Sequence, residues 1–436
     1  MRFDGRLAGP IALLALALLA APARPAGAQA GPGPARADET YHLRADRLSG
    51  SANTNDDVYT AIKVTVEHGT TTVTGDSARV YRQREQVEVM GNVKIVDGKT
   101  RMWGNQASYD RKKRLAVLRG NVRIEEGTAR ITGREAQFYR SENRSVILGN
   151  PRMEDSTRTL TANEITYDRN LDEVLALGNV VAVDRAESTT VHAGRVRYDR
   201  RRNYAWATES PALTIEESGG KSTRVRGLTM EFDNAKRAVF ALGDVLVERD
   251  KLRATGDRGE FYGSENRALL VGTPRAWDDE GEVQGDTLEI RFAQHKVESV
   301  QVRPHAKVRY EAKVERGRGE RTEAAGDTVT LFNPDEATRR AVIVGRAKSL
   351  YWPGSADSAQ GGRNISSGDS IIVEFAGGKA RRATVVGRAE GTYFMAAEGD
   401  TSRVNQEERV RYRGARIVYD VDRNEVLVLG SAEVTY

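Results

Sequence analysis

The chain repeats one pattern of small and apolar residues eleven times. A small residue, nine times Gly and twice Ala, is followed by apolar residues three and five positions later, and only Gly259 departs from this rule. Side chains two positions apart share one face of a β-strand, so each copy predicts a half-buried strand. The small residues, called anchors below, are Gly75, Gly104, Gly133, Ala162, Ala193, Gly227, Gly256, Gly285, Gly326, Gly368 and Gly414.

Each anchor opens a unit that reads as a β-hairpin. After the anchor strand comes a polar turn such as 110–114, then an apolar return run such as 115–118. Before the anchor, the apolar residues lie an even number of positions from it; after the anchor, they lie an odd number of positions from it. This change in the alternation predicts a bulge or corner at the anchor. A second glycine follows sixteen residues after most anchors, at Gly91, Gly120, Gly149, Gly178, Gly243, Gly272 and Gly430.

Hairpins of this kind bury an apolar face only by stacking. The sequence therefore predicts an all-β, solenoid-like stack whose two sheets face each other across an apolar interior. The anchors stand 29 residues apart in the first four units, and their spacing lengthens after Gly285. We therefore expect regular repeats over 41–300 and less regular repeats with longer loops over 301–436. The end strands carry no Pro, which favours docking of further strands at the open edges.

The N-terminal residues predict export. Two arginines precede an apolar stretch over 11–21, and the small residues Ala28-Gln29-Ala30 follow, as in a cleaved signal peptide. We expect a signal peptide over 1–30 and a flexible lead-in over 31–40. An uncleaved membrane anchor is the alternative, although the apolar stretch is shorter than the roughly 20 residues that a spanning helix needs.

Composition narrows the function without fixing it. The 436 residues include no Cys, carry a formal net charge of +5 and are 30% charged. The absence of Cys excludes disulfides and thiolate metal sites. The five His residues show no metal-ligand spacing, no catalytic set is visible, and no basic cluster with aromatic residues suggests nucleic acid. We expect no cofactor, no metal and no enzymatic activity.

Two of the repeats carry a family resemblance. Ala107-Ser108-Tyr109-Asp110 with Leu118-Arg119-Gly120-Asn121-Val122, and Ile165-Thr166-Tyr167-Asp168 with Leu177-Gly178-Asn179-Val180, resemble the organic-solvent-tolerance (OstA-like) family, which includes the periplasmic lipopolysaccharide-transport bridge protein and the soluble N-terminal domain of the outer-membrane lipopolysaccharide insertase. The copy at 417–420 is weaker. Two departures from the resemblance are expected: the chain is long for the bridge protein, and its sequence does not predict the transmembrane barrel of the insertase.

The resemblance implies an elongated, open β-jellyroll whose interior takes up the acyl chains of lipopolysaccharide in the periplasm. Other envelope transport proteins, or further copies of the chain, would dock at its ends. The candidate lining residues are those five positions after the anchors, although each would also suit a dry, closed core. They are Tyr109, Phe138, Tyr167, Tyr198, Phe232, Phe261, Ile290 and Leu331.

Two other classes of protein remain open at this point. A purely structural envelope scaffold or adhesin would have a filled interior and bind no lipid. A carbohydrate-active β-solenoid would place charged residues in register on one outer face of successive units. No such column is evident in the sequence, and lipid transport is the leading hypothesis.

Overall fold

A computed structural model describes most of the chain from residue 42 onwards. The described residues are 42–51, 57–68, 71–216, 222–279, 281–293, 296–311, 319–332, 338–352, 363–376, 379–394, 409–420, 423 and 425–436. The predicted signal peptide over 1–30 and lead-in over 31–40 lie outside this part of the chain.

The described residues form antiparallel β-strands in two compact units. The first unit contains 42–215 and 229–235, and the second contains 216–228 and 236–436. The sequence also predicted a boundary near residue 300, between regular and less regular repeats. That boundary stays a prediction.

The strands of the first unit are β1 (His42–Arg44), β2 (Arg47–Ser51), β3 (Val58–His68), β4 (Thr71–Tyr81), β5 (Gln86–Asp97), β6 (Thr100–Asp110), β7 (Leu115–Glu126), β8 (Ala129–Tyr139), β9 (Arg144–Leu148), β10 (Arg152–Glu154), β11 (Arg158–Thr161), β12 (Glu164–Asp168), β13 (Glu173–Asp184), β14 (Thr189–Asp199), β15 (Tyr204–Thr208), β16 (Ala212–Glu216) and, after β17, β18 (Thr229–Asp233).

The strands of the second unit are β17 (Ser222–Arg226), β19 (Ala238–Arg249), β20 (Leu252–Tyr262), β21 (Arg267–Val271), β22 (Arg275–Trp277), β23 (Gly281–Gln284), β24 (Thr287–Ala293), β25 (Lys296–Arg303), β26 (Ala306–Glu311), β27 (Arg321–Gly326), β28 (Thr328–Phe332), β29 (Thr338–Trp352), β30 (Arg363–Ala376), β31 (Lys379–Phe394), β32 (Arg409–Asp420), β33 (Glu425–Leu429) and β34 (Glu433–Thr435).

Each long strand is divided by a corner into two halves. Gly120 and Asn121 of β7 have φ angles of 74° and 51°, and the register with β8 shifts between Arg119 and Val122. Two residues of β7 lie between these paired positions, whereas β8 has only one residue between their partners. The predicted bulge is therefore present, but the inserted residue belongs to the return strand at the second glycine, and the anchor strand bends opposite it.

The anchors lie where the chain comes closest to its neighbour. A Cβ added to Gly104 would lie 2.6 Å from Leu118 Cδ1, and one on Gly326 would lie 2.6 Å from Ile343 Cγ2. The residues three positions after the anchors are buried in every unit; one of them is Gly259, which has no side chain, and the others are apolar. They are Ala78, Ala107, Ala136, Ile165, Val196, Met230, Leu288, Val329, Ile371 and Ile417. These buried residues lie beside the corners and form the innermost row of the interior, called its floor below.

Corners also occur where no second glycine was found in the sequence. Glu209 and Ser210 have φ angles of 64° and 59° and close the unit that begins at Ala193. In the second unit, the corners at Gly345 and Gly387 come nineteen rather than sixteen residues after their anchors. Non-glycine residues thus adopt the left-handed conformation when the surrounding ladder holds it.

The turns at one edge of the first unit continue the strand ladder. Five four-residue turns lie there, at 82–85, 111–114, 140–143, 169–172 and 200–203. The backbone N–H that opens each of the last four turns donates to the carbonyl that ends the turn before it, over 3.0–3.1 Å. Because each turn is hydrogen-bonded to the one before it, equivalent residues of successive turns lie in register along the edge.

Candidate functional site

Five of the candidate lining residues form one column in the first unit. Tyr109 and Phe138 both pair with Ala116, and Phe138 and Tyr167 both pair with Ser145. The column continues through Val174 to Tyr198 and through Ala205 to Phe232. Aromatic residues of the anchor strands therefore alternate with smaller residues of the return strands, so successive rings stand roughly 10 Å apart at two strand spacings.

The column is open at one end and closed at the other. Tyr109 and Phe138 are half-buried, whereas Tyr167, Tyr198 and Phe232 are buried. The buried rings occupy the filled interior that the sequence left open as an alternative. In this column, the rungs that carry Tyr109 and Phe138 combine an aromatic lining with partial exposure to solvent.

The other half of the strands shows the same gradient. An apolar column there begins with Val66, Val73, Ile95 and Met102, which are half-buried, and continues with residues that are buried. The buried continuation is Ile124, Ile131, Met153, Leu160, Ala182, Val191 and Leu213. A sheet face is buried only when a second layer covers it, so this half of the strands is covered from β7 onwards and the aromatic half from β12 onwards.

The lining residues of the second half were not chosen from the sequence, although a signal for them was present. Val73, Met102 and Ile131 each stand two residues before an anchor. They lie an even number of positions from the anchor, whereas the candidate lining residues named from the sequence lie five positions after it, beyond the bulge. We call the half-buried apolar residues of β3 to β8, in both halves of the strands, the entry segment. It includes Val66, Val73, Ile95, Met102, Tyr109 and Phe138.

The remaining three candidates form a separate column in the second unit. Phe261 and Ile290 both pair with Ala268, and Ile290 and Leu331 both pair with Val300. All three are half-buried. They repeat, within this unit, the alternation of large and small residues.

Polar groups close the interior beneath the turns of the first unit. The Tyr167 hydroxyl donates to Asp172 Oδ1 over 3.0 Å, and Arg200 Nη1 lies 2.9 Å from both groups. Burial, followed by the hydrogen bond to Asp172, raises the pKa of Tyr167. The Tyr198 hydroxyl donates to Asn203 Oδ1 over 2.8 Å, and burial raises its pKa. These hydrogen bonds hold both phenol groups in place, and the raised pKa of each favours its neutral form.

In the last rungs of the second unit the interior becomes polar. Ser349, Ser366, Gly391 and Tyr412 follow one another across β29 to β32, where the first unit has aliphatic residues. Tyr419, which stands five residues after its anchor, lies 3.2 Å from Ser366 Oγ through its hydroxyl. Since Tyr419 and Ser366 lie on opposite sides of the corners, this bond crosses the interior.

A column of arginines runs along the turn edge of the first unit. The first residue of all five turns is Arg, namely Arg82, Arg111, Arg140, Arg169 and Arg200. The Arg140 guanidinium lies 5.7 Å from the ring centre of Tyr109, and Arg200 lies 5.7 Å from that of Tyr167. The five arginines are visible in the sequence, but their common register follows from the hydrogen bonds between successive turns.

Over the described ranges, no group of three or more His, Cys, Asp or Glu side chains is placed to hold a metal ion. Within the same residues, no helix is long and apolar enough to cross a bilayer. His295 and the side chain of His68 lie outside what the structure describes.

The family comparison agrees with the repeats of the first unit. The family model described as OstA-like protein matches residues 38–190. The match covers about a third of the chain. The entry segment lies entirely within it, as do four of the five arginines of the turn edge. No curated protein matches the chain.

Two solved structures show weak likeness to the chain. One is LptH, described as the LptA-homologous periplasmic component of the lipopolysaccharide transport device of Pseudomonas aeruginosa, at 14% identity and a TM-score of 0.24 over 41% of this chain and 94% of that one. The other is the WD40 domain of SCAP from fission yeast, at 9% identity and a TM-score of 0.10 over 91% of this chain and 90% of that one.

Proposed function

We propose that this protein binds lipopolysaccharide or a related glycolipid in the periplasm and carries it towards the outer membrane. The acyl chains would lie between the two halves of the strands, and no chemical step is required. The observation that carries the proposal is the entry segment, where apolar residues of both halves are half-buried above a buried floor. It lies within residues 38–190, which match the OstA-like family model.

Energetics favour such an occupant. Each methylene moved from water into an apolar interior contributes about 0.8 kcal/mol, so a few acyl chains bind strongly without specific polar contacts. The half-buried positions supply both branched aliphatic and aromatic side chains, including Ile95, Met102, Tyr109 and Phe138. The buried rings of Tyr167, Tyr198 and Phe232 would have to separate before an acyl chain advanced beyond them.

The partners of this transport would dock at sheet edges. Val426, Leu427 and Leu429 of β33 and Val434 of β34 are exposed apolar side chains, and both strands pair with β32. Exposed apolar edges accept a further strand from another chain. We infer that another envelope transport protein, or a second copy of this chain, adds a strand at this edge.

Mass spectrometry of lipids that co-purify with the exported protein tests the proposal. Production in a host that makes lipopolysaccharide is expected to yield the glycolipid in a fixed ratio to protein, and Phe138→Asp is expected to reduce it. The matched control is Gln137→Asp, since Gln137 is the neighbouring residue on the other face of β8. Protein that carries no lipid in any form would favour the structural scaffold or adhesin instead.

A further inference from the structure

We propose that the turn edge of the first unit binds the phosphate groups of an amphiphile whose acyl chains occupy the adjacent interior. This inference rests on the proposed function and adds the orientation of the ligand and the groups that recognise its head. The residues concerned are the arginines that open the turns, chiefly Arg82, Arg111, Arg140 and Arg169.

The charge of the unit is concentrated at this edge. Of the twenty residues in the five turns, eleven are Arg or Lys and three are Glu or Asp. The turns at the opposite edge, at 98–99, 127–128, 155–157 and 185–188, contain two basic and two acidic residues. The whole chain has a net charge of only +5, so the rest of it is net negative. An anion is therefore attracted to one edge and not to the other.

The acidic residues at this edge have structural roles. Asp110 Oδ1 accepts a hydrogen bond from the Lys113 N–H over 2.9 Å, and Asp199 Oδ1 accepts one from the Arg202 N–H over 2.9 Å. Asp172 is held by Tyr167 and Arg200. Glu85 lies 3.8 Å from Arg111, and both side chains are largely exposed. Glu142, the remaining acid of the turns, lies 2.7 Å from Arg144. Eleven basic against three acidic turn residues leave an excess of positive charge at this edge.

The arginine column is placed beside the apolar interior. Arg111 and Arg140 each stand two residues after a half-buried aromatic residue, Tyr109 and Phe138, a distance of about 7 Å along a strand. The Arg140 guanidinium also lies over the Tyr109 ring. A molecule with acyl chains in the entry segment would therefore hold its head at the arginines. Guanidinium groups suit phosphate because they form paired, charge-assisted hydrogen bonds.

The experiment compares two triple variants of the full-length mature protein. Arg82→Gln, Arg111→Gln and Arg169→Gln together remove three exposed cations from the edge. Arg79→Gln, Lys94→Gln and Lys99→Gln together remove three exposed cations from elsewhere in the same unit. Matched thermal unfolding of both variants establishes that both are folded. The probes are a bis-phosphorylated bacterial glycolipid, its dephosphorylated form, and phosphatidylglycerol vesicles.

We expect the edge variant to bind the bis-phosphorylated glycolipid roughly tenfold more weakly at low salt than the control variant, a loss that shrinks as salt rises. The dephosphorylated glycolipid should bind all proteins equally. The same loss confined to vesicles would support the phosphate chemistry with a bilayer as its source. Equal binding of the bis-phosphorylated form by both variants would overturn the inference, whereas failure of every protein to bind either glycolipid would overturn the proposed function.

Discussion

The Tyr419 hydroxyl lies 3.2 Å from Ser366 Oγ, and Gly391 makes room for it. A Cβ on Gly391 would stand 2.2 Å from that hydroxyl oxygen and 3.0 Å from Tyr412 Cδ2. Tyr419 belongs to one half of its strand, whereas Ser366 and Gly391 belong to the other half of theirs. This contact ties the two halves of the second unit together across the interior.

Gly391→Ala is therefore expected to destabilise the second unit by about 1–3 kcal/mol, as overpacking does in cores. Tyr419→Phe removes the oxygen that the new methyl group would meet, at a cost of about 1 kcal/mol for the lost hydrogen bond. The double variant should be more stable than the sum of the single effects predicts. Denaturant unfolding of all four proteins measures this coupling, and strictly additive effects would contradict the contact.

Alkaline pH is expected to weaken the second unit. Burial raises the pKa of Tyr351 to about 12, with help from Glu320, and burial together with neighbouring tyrosines raises the pKa of Tyr412 to about 12. An unfolded tyrosine titrates near about 10. The stabilisation from these neutral phenols is therefore complete below about pH 10 and is lost as the pH rises towards about 12.

The measurement is the free energy of unfolding across that interval for the natural protein and for Tyr351→Phe with Tyr412→Phe. Phenylalanine has no ionisable group, so the double variant should lose less stability between about pH 10 and 12. Identical slopes for the two proteins would show that these phenols are as readily ionised in the folded chain as in the unfolded one.

The repeat could be predicted from the sequence, but the degree to which each of its side chains is buried could not. The residues three positions after the anchors were recognised as apolar and all are buried where a side chain exists, because strand alternation is a local property. The residues five positions after the anchors follow the same rule, yet Tyr109 is half-buried and Tyr198 is buried. That difference depends on which rungs are covered by the other half, and no local pattern records it.

The corners illustrate a second limit. The Gly120-Asn121 corner was recognised by its glycine, but Glu209-Ser210 makes the same corner with two residues that favour other conformations. The hydrogen bond from the Gly194 N–H to the Glu209 carbonyl over 2.9 Å holds it in place. Tertiary pairing fixes the backbone there, so a search for glycine could not find it.

The hydrogen-bonded group at Asp172 should stabilise the first unit. Asp172→Ala removes the acceptor of the Tyr167 hydroxyl and one of the two acceptors of Arg200 Nη1, at a cost of about 1–3 kcal/mol. It also places Ala in a left-handed conformation, since Asp172 has a φ of 57°.

Asn143→Ala is the matched control, because Asn143 ends the previous turn with a φ of 52° and its side chain bonds only at the exposed surface, to Asn170. Both variants carry the same backbone strain, so the difference between their unfolding free energies reports the buried group. Equal destabilisation would mean that the Tyr167 and Arg200 contacts contribute nothing beyond the turn itself.

The most direct test of the central claim is photo-crosslinking of acyl chains inside the first unit. A photoreactive residue is introduced at Tyr109, at Phe138, at the buried Tyr198, or at the exposed Arg79 on the opposite face of β4, in cells that make lipopolysaccharide. The account predicts adducts with lipopolysaccharide at Tyr109 and Phe138, fewer at Tyr198, and none at Arg79. Absence of adducts at Tyr109 and Phe138, under conditions where a known lipopolysaccharide binder is crosslinked, would contradict it and indicate an interior filled only by the protein.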